Sequence, residues 1–248
     1  MAIANQKGGV GKTTTAINLG AALGALEKPV LLVDCDPQGN ATRGLGQTAE
    51  PPNLYHVLSG AAAARDAVRP SSFPNLYLLP ADRNLVGVEV EFVDLEGWKR
   101  RLRDALEEIV DGYEWILLDC PPSLGHLTVA ALVAADGVLV PLQCEYFALE
   151  GISELLATVR RIQGGANPRL DVRGILLTMF DDRTNLSKDV AAEVRAHFPN
   201  KVYETIVPRN IRLAEAPSHG LPILNYDIRS RGAEAYLSLA RELVRGVA

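Results

Sequence analysis

Six residues into the chain begins the run Lys7-Gly8-Gly9-Val10-Gly11-Lys12-Thr13-Thr14. Three glycines within four positions force a tight, unobstructed turn, since glycine alone adopts left-handed backbone without steric penalty. An Ala- and Leu-rich stretch of helical period follows directly, and a short apolar stretch precedes. Strand, glycine turn, helix is therefore the local order, and it commits the chain to a fold whose ligand edge carries such turns. Backbone N–H groups of a turn of this kind curl around a phosphate, and the helix N-terminus behind it adds its dipole. Lys12 brings positive charge to the β/γ oxygens and Thr13 a hydroxyl for Mg²⁺. Gln6 stands where the strict pattern G-x-x-x-x-G-K-[ST] has its first glycine.

The rest of the chain alternates in the same manner, β-branched apolar runs with segments of helical period. Strands are expected at Ala2–Ala4, Val30–Cys35, Leu76–Leu79, Trp115–Asp119, Gly137–Leu142 and Arg173–Thr178, with a weaker one near Val202–Val207. Helices are expected at Lys12–Leu26, Glu96–Val110, Ser123–Ala134, Leu149–Gln163, Leu186–His197 and Ala233–Arg245. The class is α/β, a mostly parallel twisted sheet with helices on both faces. No repeat or linker divides the chain, so residues 1–248 form one expected domain, with Gly44–Pro74 as a surface excursion. The first strand is short. Either the central strand starts at the very terminus or the true start lies upstream.

Asp34, Asp36 and Asp119 each end or follow an apolar strand, at the carboxyl edge where an open α/β sheet binds its ligand. Carboxylates there suit a hydrated Mg²⁺, which takes one or two protein ligands. The three cysteines, Cys35, Cys120 and Cys144, have neither zinc nor disulfide spacing and read as core residues. His56, His126, His197 and His219 share no ligand spacing and read as surface or helix-end residues.

With Lys7 added to the phosphate loop, the stretch resembles the deviant Walker A motif of the ParA/MinD family of dimerising ATPases. The resemblance extends through Asp34-Cys35-Asp36-Pro37-Gln38-Gly39-Asn40, Asp119-Cys120-Pro121-Pro122-Ser123 and Pro208-Arg209-Asn210. Two further segments, Glu145–Gly151 and Ala216–Gly220, make it closest to Soj-like chromosome partition ATPases. The resemblance implies ATP and Mg²⁺ as cofactors, Asp119 as the Walker B carboxylate, Asp36 orienting or activating the attacking water, and Asp34 supporting the metal shell. Pro208 and Asn210 match the segment that contacts the base. Lys7 is implied to reach the phosphates bound by the partner subunit of an ATP-dependent homodimer.

A ParB-like partner and non-specific double-stranded DNA are implied in the same way. DNA binding of that kind is a charge effect and needs exposed arginines. The formal charge is −5, yet residues 151–248 carry fourteen Lys/Arg against eleven Asp/Glu. Arg183 and Arg212 are the first choices there, with Arg209, Arg229 and Arg231 as further candidates. No helix-turn-helix domain is expected before the phosphate loop. A MinD-like, membrane-associated role is the alternative, and it needs a basic amphipathic C-terminal helix. Instead the last helix places Tyr236, Leu239, Leu243 and Val247 on one stripe, as for a helix docked on its own sheet. Cys35 and Cys120 sit inside acidic motifs, which argues against a shared iron–sulfur cluster. The expected location is cytoplasmic and nucleoid-associated, without stable membrane association.

Overall fold

The computed structural model describes residues 1–92, 95–146 and 148–246. Eight strands form one sheet: β1 Ala2–Ile3, β2 Val30–Asp34, β3 Arg69–Pro70, β4 Leu76–Leu79, β5 Trp115–Asp119, β6 Gly137–Gln143, β7 Asp171–Phe180 and β8 Val202–Pro208. Their spatial order is β3-β4-β2-β5-β1-β6-β7-β8. Every pairing is parallel apart from β3 with β4. Parallel strands buried on both faces read as continuous apolar runs, and β2 is such a run. Val30 and Leu32 face one side, Leu31 and Val33 the other, and all four are fully buried.

One face is covered by α1 Lys12–Ala25 and by the C-terminal helix, while α2 Asn40–Gly44 follows β2 at the carboxyl edge. The opposite face carries α3 Leu54–Ser59, α4 Ala64–Ala67, α5 Gly87–Glu91, α6 Arg101–Glu107, α7 His126–Ala134, α8 Ala148–Gln163 and α9 Asn185–His197. Two short helices, α10 Ile211–Glu215 and α11 Ile223–Tyr226, lead to α12 Arg231–Val244. Helix α12 buries Tyr236 and Leu239, and the Tyr236 hydroxyl meets Thr15 of α1 at 3.1 Å. The expected stripe is thus docked internally through Leu239; Val247 lies outside the described residues. Among the described residues no helix is long and apolar enough to cross a membrane.

Three expectations need correction. Gly44–Pro74 is not a surface excursion: Leu54, Val57 and Leu58 recur at helical spacing on α3 and are buried with Ala64 and Ala67 of α4. The helix expected over Glu96–Val110 is broken into a 3₁₀ turn at Trp98–Arg100, α6, and a second 3₁₀ turn at Val110–Gly112. Gly97 sits at φ 78°, which no helical residue adopts, so the helix cannot begin before it. The helix expected from Ser123 begins at His126: Gly125 before it is extended, at φ −74° and ψ −170°, and the N-terminal amides find a remote acceptor. Glu89 of α5 accepts from His126 N at 3.0 Å and Leu127 N at 3.3 Å. A carboxylate there also suits the helix dipole.

Two glycines far apart in sequence meet back to back. Gly46, just after α2, and Gly220 both have left-handed backbone, and a Cβ on Gly220 would lie 2.6 Å from Gly46 Cα. Backbone touches backbone there, at a distance that no side chain allows.

Candidate nucleotide site

The central strand β1 delivers the chain to the carboxyl edge of the sheet between β5 and β6. Asn5 turns it: its Nδ2 donates to Pro141 O at 2.8 Å and its Oδ1 accepts from Lys7 N at 3.0 Å. Gly9 and Gly11 then adopt φ 75° and 87°. Helix α1 opens with no side-chain cap and no acidic residue in its first turn, and the first amide to find a backbone acceptor is Thr15 N on Gly11 O, at 2.8 Å. The amides of Lys12, Thr13 and Thr14 before it make no backbone hydrogen bond among the described residues, and such donors are what a helix N-terminus offers to an anion.

Lys12 is buried, and its Nζ donates to Lys7 O at 3.0 Å. Burial pulls its pKa down, while the carboxylates of Asp119 and Asp36 pull it back up. Lys7 leads elsewhere. Its ammonium lies 3.5 Å from Glu145 on the loop after β6, with over a third of the side chain exposed. The spacing of the glycines gave no sign of that partner, although Glu145 stands in one of the segments that carry the family resemblance.

The three carboxylates occupy different environments. Asp119 is 0% exposed, and neither of its oxygens has a hydrogen-bond partner among the described residues. Burial and the charge of Asp34 push its pKa well up; nearby Thr13 favours the charged form without meeting the carboxylate in full hydrogen-bond geometry. A buried, unpartnered carboxylate costs several kcal/mol unless a cation satisfies it, so this donor set suits a hard divalent ion. Asp36 accepts from Gln38 N at 2.9 Å through one oxygen. Asp34 is already satisfied: Thr42 N and Oγ1 donate to one oxygen at 2.8 and 2.7 Å, and Asp36 N to the other at 3.2 Å. Burial raises its pKa to about 6 against those hydrogen bonds. Thr42 Oγ1 also accepts from Ala81 N at 3.1 Å, fastening α2 to the segment just after β4. Sequence reading missed Thr42, since one threonine in the five-residue helix α2 carries no pattern.

At the far rim, Pro208 ends β8 in register with Phe180, and Asn210 caps α10 with its Oδ1 buried and unpartnered. An amide with a free acceptor suits the edge of a base. Arg183 and Arg212 are exposed but occupied: Arg183 is bidentate on Asp181 at 2.8 and 2.7 Å, and Arg212 holds Glu215 at 2.9 Å and Asp227 at 3.6 Å. Arg231 lies 3.6 Å from Asp182, whereas Arg209 and Arg229 make no ion pair among the described residues. Cys35, Cys120 and Cys144 are buried free thiols, and burial raises all three pKa values, that of Cys144 to about 11. Among the described residues no three His, Cys, Asp or Glu side chains gather as a metal cluster. A cavity of about 520 Å³ lies at the opposite, amino end of the strands, between Met1, Trp115, Arg173 and Tyr203, and no phosphate-loop residue lines it.

Residues 1–172 match the family described as AAA domain. The chromosome partitioning protein ParA of Caulobacter vibrioides is 55% identical over 248 residues, which cover 98% of this chain and 93% of that protein. The chromosome-partitioning ATPase Soj of Thermus thermophilus is 54% identical over 247 residues, covering 100% and 96%. Among solved structures, one described as cobyrinic acid a,c-diamide synthase from Mycobacterium smegmatis with bound ATP analogue and magnesium superposes with a TM-score of 0.87 at 37% identity, covering 98% of this chain and 93% of that one.

Proposed function

The chain belongs to the ParA/Soj partition ATPases, and on that premise we propose that it is an ATP-driven switch for DNA segregation. ATP with Mg²⁺ drives a sandwich homodimer, the dimer binds duplex DNA without sequence preference, and a ParB-like partner stimulates hydrolysis and release. The observation that carries the reading is the conjunction at one sheet edge of uncapped amides at the start of α1, buried Lys12 and the unpartnered carboxylate of Asp119.

Each residue has a distinct task. Gly8, Gly9, Val10, Gly11 and Thr14 present the backbone cradle, and Lys12 leaves the Lys7 carbonyl to neutralise the β/γ oxygens. Thr13 and Asp119 hold Mg²⁺, which when bound offsets charge on the phosphoryl oxygens. Asp36 positions the attacking water. Asp34 supports the metal site indirectly, by fixing the loop that carries Asp36, since its own oxygens are spent on Thr42 and Asp36 amides and hydroxyl. Pro208 and Asn210 take the base. The basic rim formed by Arg183, Arg209, Arg212 and Arg229 meets DNA phosphates.

Titration calorimetry tests the core of this reading. A hydrogen bond to a charged group is worth about 1.5–3 kcal/mol, so Lys12→Ala is expected to bind ATP at least about tenfold more weakly. Unchanged affinity would remove Lys12 from the phosphates.

The DNA face makes its own prediction. Arg183→Ala and Arg212→Ala are expected to weaken binding to every duplex about equally and to flatten its salt dependence, leaving ATP affinity intact. Each must leave a carboxylate before it reaches a phosphate, so the double change Arg209→Ala with Arg229→Ala is expected to lose more. A changed sequence preference, or retention of the full salt slope by both pairs, would exclude these arginines from the face.

A further inference from the structure

A phosphate cradle needs its N–H groups turned inward, and something must hold them so before any ligand arrives. The peptide joining Val10 to Gly11 shows how. A trans peptide is planar, with its C=O and N–H directed oppositely, so anchoring the carbonyl of Val10 fixes the direction of the Gly11 N–H. Val10 is 1% exposed, and its carbonyl accepts from Thr178 Oγ1 at 2.9 Å. Thr178 itself is 2% exposed, near the end of β7, with its methyl group 4.0 Å from where a Cβ on Gly11 would stand. The Gly11 N–H, opposite to the anchored carbonyl, makes no backbone hydrogen bond among the described residues.

Thr178 touches more than the loop. Its own carbonyl accepts from Cys144 N at 3.4 Å, immediately before Glu145, the residue that holds Lys7. Next along the chain comes Met179 at φ 50°, a conformation that non-glycine residues rarely adopt. It turns the strand toward Phe180, whose carbonyl accepts from Arg209 N at 2.9 Å between Pro208 and Asn210. One threonine therefore stands where the phosphate loop, the Lys7 anchor and the base-side rim converge.

We infer that Thr178 is a positioning residue for nucleotide binding: its hydroxyl holds the Val10–Gly11 peptide with the Gly11 N–H directed at the phosphates. Without that donor the buried Val10 carbonyl is left unsatisfied, and an unpaired buried acceptor favours any rotation that finds a partner. Gly11 offers little resistance, having no Cβ to restrict it. The inference rests on the assignment of the loop as a nucleotide cradle, and the test separates the two.

ADP affinity is measured by calorimetry, with thermal unfolding in parallel, for the unaltered protein, Thr178→Ser, which keeps the hydroxyl, and Thr178→Val, which keeps the shape. Thr178→Val is expected to bind ADP at least about tenfold more weakly, as befits loss of an oriented donor to a charged group. Thr178→Ser is expected to stay within a few fold of the unaltered protein. A purely structural role would lower the unfolding temperature of the valine variant and leave its ADP affinity unchanged, and that result overturns the inference. So does a serine variant as weak as the valine one. Should Thr178→Val fail to fold, Thr178→Cys replaces it: its thiol is a weak donor, so weakened ADP binding supports the inference and full affinity overturns it. Failure of the unaltered protein to bind ADP would instead refute the cradle itself.

Discussion

Asp36→Ala is expected to bind ATP within a few fold of the unaltered protein while hydrolysing it about a hundred- to ten-thousandfold more slowly, the range that a positioned acid–base group supplies. The division of labour among the carboxylates leads to this. Asp119 is the fully buried, unpartnered group suited to the cation, and Asp34 is consumed by Thr42 and the Asp36 amide. Asp36 keeps one oxygen on Gln38 N, which fixes its orientation and leaves the other without a protein hydrogen-bond donor among the described residues. Because hydrolysis is the exit from the ATP state, the variant should accumulate as a dimer when ATP is present, seen as a doubled mass by light scattering after size exclusion. Loss of ATP binding in this variant would make Asp36 a metal ligand and reverse the assignment.

The second large effect concerns Lys7. Its ammonium is directed to Glu145 and not to the cradle that Lys12 serves. The pair is half exposed, and such surface pairs contribute about 0–1 kcal/mol, so leaving Glu145 for another anion is easy. A cation delivered across a dimer interface acts as an arginine finger does, worth about a thousandfold or more in turnover. Lys7→Gln is therefore expected to keep ADP affinity within a few fold but to lose ATP-dependent dimerisation, DNA binding and stimulated turnover together. A forced heterodimer of Lys7→Ala with Asp36→Ala resolves the geometry. One surviving active site supports action in trans, and two dead sites mean that Lys7 serves its own subunit.

Much of this was legible in the sequence because the signals are local. The glycines, Lys12 and Thr13 lie within one turn of chain, and the strands that carry Asp34 and Asp119 are uninterrupted apolar runs whose burial needs no partner to be inferred. The strand ends shifted by a residue or two, as at β7, which runs from Asp171 to Phe180. What escaped notice was set by distant contacts. Thr42 and Thr178 act on residues 8 and 168 positions away, and nothing in their neighbourhoods announces it. The helix that begins at His126 depends on Glu89, 37 residues earlier, so its start could not be placed from its own sequence. For Arg183 and Arg212, composition gave the charge but not the carboxylates that compensate it.

The meeting of Gly46 and Gly220 ties two parts of the molecule mechanically. The first belongs to the stretch that runs from Asp36 through α2, and the second closes the turn between Arg212 and Arg229. Contacts made by side chains yield, because rotamers can change; two main chains in direct contact have no such slack. A displacement of the aspartate loop is therefore expected to be felt at the turn that carries Gly220. A Cβ on Gly220 has no room beside Gly46 Cα, and the left-handed backbone of Gly46 disfavours one there too, so Gly220→Ala is expected to push the two turns apart.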